Sequence, residues 1–207
     1  MSEGEGRSPE PGGPGVLMVL SGPAGSGKST ILKTAVARDP AVSFSVSCTT
    51  RPPRDGEVDG RDYHFLSEDE FASRVAAGDF LEHAGVHKWR YGTLRESVVK
   101  LLEEGIDVVM DIDVQGAEQI RACTDPVVAR ARVDVFVMPA DPSELERRLR
   151  ERGSENEETF RLRMKNALAE MEHAPAYSHQ ILSGTREEDY QAFAEILAEA
   201  RRQGGGD

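Results

Sequence analysis

The sequence predicts an α/β fold, with helices on both faces of a central parallel sheet, and three observations predict it. Short apolar runs alternate with helical patterns: Val16 to Leu20, Val42 to Val46, Val108 to Asp111, Val133 to Met138 and Ile181-Leu182. Runs of this length read as buried parallel strands, because a parallel pair needs a long crossover and an intervening helix supplies it. The first run leads through Gly22-Pro23-Ala24-Gly25-Ser26-Gly27-Lys28-Ser29-Thr30 into a stretch without a helix breaker until Pro40. That is the strand, loop, helix order of a P-loop. Finally, three sets of apolar residues each fall on one helical face: Leu94, Val98, Leu101 and Leu102; Phe160, Met164, Ala167, Leu168 and Met171; Phe193, Ile196, Leu197 and Ala200. All three faces are expected in the core. Helix starts are marked by Asp141-Pro142-Ser143-Glu144, an N-cap with a first-turn proline, and by Ser67-Glu68-Asp69-Glu70, a capping box.

Composition bounds what such a fold can serve. With 207 residues and 38% hydrophobic content, one core is expected. Met1 to about Gly15 carries five glycines and three prolines without a periodic apolar face, so residues 1–15 read as a disordered tail. One domain follows over 16–203, then a short end over 204–207. Lys and Arg number 25 against 37 Asp and Glu, which disfavours general nucleic-acid binding. No apolar stretch approaches the ~20 residues of a membrane span, and the acidic start lacks the basic-then-apolar order of a signal peptide, so a cytoplasmic protein with no membrane partner is expected. Cys48 and Cys123 lie outside any metal-ligand or disulfide spacing and read as small apolar fillers.

The glycine-rich loop states a ligand class. Its glycines let successive N–H groups turn inward onto an anion, Lys28 brings a cation to the outer phosphates, and Ser29 offers a hydroxyl to Mg²⁺. Gly22 to Thr30 is therefore the candidate ATP site.

A phosphate loop names a donor, and three segments look suited to an acceptor. Ser47-Cys48-Thr49-Thr50-Arg51-Pro52-Pro53-Arg54 sets two guanidiniums on a proline-stiffened loop, fit to grip a phosphate with fork geometry. Gly60-Arg61-Asp62-Tyr63-His64-Phe65 adds a phenol, and Phe80-Leu81-Glu82 with Tyr91-Gly92-Thr93 adds a carboxylate, a second phenol and a hydroxyl. Guanine presents N1–H and its 2-amino group as adjacent donors, so one carboxylate such as Glu82 accepts from both, and adenine cannot satisfy it. Each segment alone also has a structural account: Arg51 and Arg54 as solvated charges, Tyr63 and Tyr91 as core aromatics, Glu82 as a surface acid.

Taken in order, the P-loop, SxTTRxPRxGE, G-x-D-Y-x-F, FLE, YGT and DIDxQG resemble the guanylate kinase family over about residues 16 to 200. The resemblance implies that Ser47, Glu82 and Thr93 contact guanine and that Arg51, Arg54, Tyr63 and Tyr91 hold the GMP phosphate. It implies a P-loop three-layer α/β/α core (16–46, 96–140 and 165–203), a GMP-binding lobe inserted over 47–95, and a helical lid over 141–164. Asp111 is favoured on the acceptor side. Asp113 is left open, with a water-mediated contact to the Mg²⁺ held by Ser29 as one role. Arginines matching Arg148, Arg152 and Arg163 close over the phosphates in the family and join Lys28 and Arg54 as candidate catalytic cations. By charge pattern alone the same arginine-rich helix reads as a solvated surface laced by i to i+4 pairs.

The chain departs from the family where an asparagine usually borders adenine, carrying Ile181-Leu182-Ser183-Gly184-Thr185-Arg186 instead. His83 follows Glu82 where tryptophan is common, and His87-Lys88-Trp89-Arg90 precedes Tyr91. The expected function is phosphorylation of GMP by MgATP in purine nucleotide metabolism, with ATP and GMP as small-molecule partners. A protein-binding module of the same fold and a kinase for a sugar phosphate stand as alternatives.

Overall fold

Leu17, Met18, Val19 and Leu20 are all sealed from solvent, as a strand with helices above and below it must be. The structure is a computed structural model that describes residues 13–86, 88–139, 141–152 and 157–204, without the side chains at 142, 149, 151 and 152. In chain order the described residues form β1 (Leu17–Ser21), α1 (Lys28–Arg38), β2 (Val42–Phe44), β3 (Cys48–Thr49), β4 (His64–Phe65), α2 (Glu68–Ala77), β5 (Phe80–Val86) and β6 (Trp89–Leu94). They continue with α3 (Arg95–Glu103), β7 (Asp107–Asp111), α4 (Val114–Ala122), α5 (Pro126–Ala131), β8 (Arg132–Pro139), α6 (Pro142–Arg152), α7 (Glu157–Met171), β9 (His179–Ser183) and α8 (Arg186–Gly204).

The five expected runs pair into one parallel sheet in the order β2-β7-β1-β8-β9. Side chains of β1 alternate between its faces. Met18 and Leu20 join Ile31 and Leu32 of α1 and Phe193 and Leu197 of α8. Leu17 and Val19 join Val98 and Leu102 of α3, Ile120 of α4, and Phe136 with Tyr177. Helices on both sides of a parallel sheet make the three-layer α/β/α fold that the sequence predicts.

The insert between β2 and α3 builds a second sheet in the order β4-β3-β6-β5, with the Ser67 capping box opening α2. Its register shifts between Phe80 and Glu82, which sets Glu82 opposite Thr93.

One sequence expectation changes. The Phe160 to Met171 face of α7 does not reach the main core as a whole: Ala167, Phe160, Met164 and Met171 cluster on Leu145 of α6, while Leu168 stays 48% exposed. One neighbouring helix cannot cover an arc that wide. The short helix α5, capped by Asp125 with Pro126 in its first turn, carries too few residues for a periodic signal.

At the chain ends, the Gly15 N–H donates to Leu102 O at 2.8 Å, and α8 continues to Gly204. Gly15 and Gly204 are thus held in the fold, and of the expected tails over 1–15 and 204–207, residues 1–12 and 205–207 lie outside the described residues.

Candidate active site

The loop after β1 is built from backbone that only glycine tolerates. Gly22 has φ 141°, and a Cβ there would stand 2.0 Å from the Val137 carbonyl oxygen of β8. Gly27, at φ 107°, opens α1 without any side-chain cap, and the first turn of α1 holds no acid. No side chain of the first turn therefore competes for the N–H groups at that helix start, and the Ser26 hydroxyl is buried with no hydrogen-bond partner among the described residues. Lys28 arches back over the loop: its Nζ donates to the Gly22 carbonyl at 2.5 Å and the Pro23 carbonyl at 3.2 Å.

Strand register brings a carboxylate to this loop. Leu20 of β1 lies opposite Asp111 at the end of β7, and Asp111 Oδ2 accepts from Ser29 Oγ at 2.7 Å while its Oδ1 lies 4.0 Å from Lys28 Nζ. A hydroxyl and a carboxylate are hard oxygen donors of the kind Mg²⁺ takes beside substrate phosphates, so these residues fit that ion. Asp113 stands elsewhere, with its Oδ1 accepting the Gly116 N–H at 2.8 Å as the N-cap of α4. Asp111, rather than Asp113, is therefore the carboxylate against Ser29.

Asp111 also joins the loop to the insert. It lines a cleft of ≈ 350 Å³ with Ser47, Tyr63, Glu82, Tyr91 and Asp113, and a neighbouring one of ≈ 460 Å³ that reaches Lys33 and Arg61. Glu82 is only 7% exposed, with its Oε1 accepting from Thr93 Oγ1 at 2.7 Å. Burial pushes its carboxyl above the ordinary range and the Asp113 charge adds to this, against the opposing Thr93 hydrogen bond. Gly116 is packed beneath it, since a Cβ there would meet Glu82 Oε2 at 3.2 Å.

Arg51 is buried and gripped by Glu57 through two N–H···O bonds of 2.8 and 3.0 Å, which raises its affinity for its proton and lowers that of Glu57. Its guanidinium carbon lies 5.4 Å from the Tyr63 ring centre, and Tyr63 meets Tyr91 edge-on at 6.0 Å. Arg54 is exposed and donates its backbone N–H to Glu57. Thus the acceptor candidates Ser47, Arg51, Tyr63, Glu82, Tyr91, Thr93 and Asp111 cluster.

The lid candidates are placed less uniformly. Arg148 of α6 reaches the phosphate loop, with Nη1 3.3 Å from the Gly25 carbonyl oxygen. Arg163 is exposed on α7 and lines neither cleft, and the Arg152 side chain lies outside the described residues. The expected surface pairs do form, Glu144 with Arg148 and Glu146 with Arg150.

Four contributors carried no signal as single positions. Glu57 holds Arg51, and Gly116 seats Glu82. Gln119 of α4 bonds both the N–H (3.0 Å) and the C=O (2.9 Å) of His83, pinning β5 beside Glu82. Glu170 of α7 is half-buried, its carboxyl pushed up by burial and drawn down by Lys28. Only tertiary proximity could have found them, although Glu57 and Gly116 stand inside quoted motifs.

The comparisons with known proteins agree with this geometry. The family model described as "Guanylate kinase" matches residues 15–200. A guanylate kinase of Cereibacter sphaeroides is 46% identical over 169 residues, covering 82% of this chain and 79% of its own. One of Paramagnetospirillum magneticum is 44% identical over 190 residues, covering 90% and 86%. The crystal structure of guanylate kinase from Anaplasma phagocytophilum superposes with a TM-score of 0.70 at 30% identity, over 91% of this chain and 87% of that one. With the family model matched over residues 15–200 and relatives 46% and 44% identical over most of its length, the chain belongs to the guanylate kinase family.

Proposed function

We propose that the chain transfers the terminal phosphoryl group of MgATP directly and in line to GMP, and also to dGMP, giving ADP and GDP or dGDP. The observation that carries this reading is the buried Glu82 carboxylate, held by Thr93 in a cleft that shares Asp111 with the phosphate loop. Glu82 accepts from guanine N1–H and the 2-amino group, with the Ser47 and Thr93 hydroxyls beside it. Arg51, Arg54, Tyr63 and Tyr91 hold the acceptor phosphate. One of its oxygens attacks the γ-phosphorus while the bond to the departing ADP oxygen breaks. Charge on the transferred oxygens is met by Lys28, Arg148, Arg152 and Arg163. Ser29 and Asp111 would hold Mg²⁺ with ATP, and the ion would supply charge neutralisation of the donor phosphates.

Water must be excluded or ATP would be hydrolysed, and closure of the 47–95 lobe and the 141–164 lid around both nucleotides accomplishes that. Among the described residues no helix is long and apolar enough to cross a membrane, in keeping with a role in purine nucleotide metabolism in the cytoplasm.

The test is coupled ADP release from MgATP with GMP, dGMP, AMP, UMP, CMP or no acceptor, repeated for Glu82→Ala. Turnover confined to guanine nucleotides and lost in the variant is expected. The absence of turnover with every one of these nucleotides would overturn the reading in favour of a protein-binding module or a sugar phosphate kinase.

A further inference from the structure

At the end of β9, where the chain departs from its family's pattern, a polar relay runs from α8 through β9 to α6. Asp189, in the first turn of α8, is 6% exposed, and both its oxygens are engaged: Oδ2 accepts from Ser183 Oγ at 2.9 Å and Oδ1 from the Gly184 N–H at 2.7 Å. The Ser183 oxygen, itself buried, accepts from Arg148 Nη1 at 3.0 Å. Arg148 Nη2 lies 3.5 Å from the Gly184 carbonyl oxygen, and Nε donates to Glu144 of its own helix at 2.9 Å.

The relay is packed on the phosphate loop. A Cβ at Gly27 would stand 3.4 Å from Asp189 Oδ2, 3.4 Å from Ser183 Oγ and 4.0 Å from Arg148 Nη1. Together with Thr30 and Arg186, Asp189 and Arg148 wall a cavity of ≈ 270 Å³ beside that loop.

A serine hydroxyl rotates to suit its neighbours, so its lone pairs face an arginine only if its proton is claimed elsewhere. The buried carboxylate claims it. Ser183 then presents acceptor density to Arg148, which draws the guanidinium off the surface of α6, where Glu144 alone would leave it, and onto the loop. A buried carboxylate is costly unless its oxygens are bonded, and here the Ser183 hydroxyl and the Gly184 N–H supply those bonds.

We propose that Asp189, acting through Ser183, is a positioning residue of the donor-nucleotide site, holding Arg148 over the phosphate loop for the triphosphate and nucleoside of ATP. This rests on the reading of that loop as the ATP site.

The test is steady-state kinetics on the full chain, with ATP and GMP varied separately, for wild type, Asp189→Asn, Ser183→Ala, Arg148→Ala and the Asp189→Asn/Arg148→Ala double variant. Asp189→Asn is expected to raise the KM for ATP about tenfold and leave the KM for GMP unchanged. On the Arg148→Ala background it should add less than about twofold, because the relay then has nothing to orient. An equal penalty with and without Arg148, an equal shift for both substrates, or wild-type kinetics would overturn the proposal. If Asp189→Asn fails to fold by thermal melting, Ser183→Ala, which leaves the Asp189–Gly184 bond in place, gives the same reading. Wild-type protein that binds no ATP by calorimetry would overturn the donor-site reading and the relay with it, whereas an active wild type with additive variants sinks the relay alone.

Discussion

Glu82 is asked to be charged where charge is costly. In the proposed role its carboxylate must be ionised to accept from a guanine edge, yet burial raises its pKa and Asp113 adds repulsion, with only Thr93 in opposition. The raised value fixes the sign of its contribution to stability. Below the ordinary carboxylate range both folded and unfolded chains hold the proton; as pH rises the unfolded chain releases it first, and stability falls until the folded pKa is passed. Replacing the acid by a neutral isostere removes that penalty. Glu82→Gln is therefore expected to stabilise the protein at pH 7 by ~0.5–2 kcal/mol in urea unfolding, while GMP turnover is lost. A destabilised variant, or one that still prefers GMP over AMP, would contradict this account. Arg51 is arranged in the opposite way: Glu57 compensates its charge, so its burial carries little penalty of its own.

Elements set the angles at which these residues meet. Strand β5 is an edge of the smaller sheet, and its outer backbone groups at His83 are satisfied by one side chain of α4, Gln119, which behaves as a short extra strand. Gly116, one turn earlier on α4, lets that helix approach the Glu82 carboxylate. Helix α4 belongs to the core, so this contact fixes the base of the inserted lobe to the sheet that carries the phosphate loop. Gln119→Ala should cost about 1–3 kcal/mol for two lost hydrogen bonds. It should also raise the KM for GMP without changing that for ATP, and speed hydrogen exchange at the His83 amide. Unchanged exchange there would mean that β5 is held by its partner strand β6 alone.

Across the whole molecule, a cleft of ≈ 460 Å³ lies between the central sheet and the lobe, lined from one side by Lys33, Val109 and Met110 and from the other by Arg61 and Tyr63. If both nucleotides draw lobe and lid together, the radius of gyration from small-angle X-ray scattering should fall with GMP and a non-hydrolysable ATP analogue present together, and less with either alone. An unchanged radius would count against closure. The five strands and most helices were legible in the chain because apolar periodicity and breakers are local signals, and the phosphate loop because its backbone geometry demands glycine at fixed spacing. The acceptor residues became legible only through their family resemblance, since each by itself also reads as an ordinary surface or core residue. Sequence alone thus determined the layers and the phosphate loop, and singled out Glu82 as the candidate for guanine. Tertiary structure decided that Asp111 rather than Asp113 meets Ser29, that α7 leaves Leu168 in solvent, and that Asp189, Gln119 and Gly116 stand behind the site. The physical reason is that strand register, helix approach and hydroxyl direction are fixed by contacts between residues far apart in the chain, 123 positions in the case of Gly25 and Arg148, and no local pattern records them.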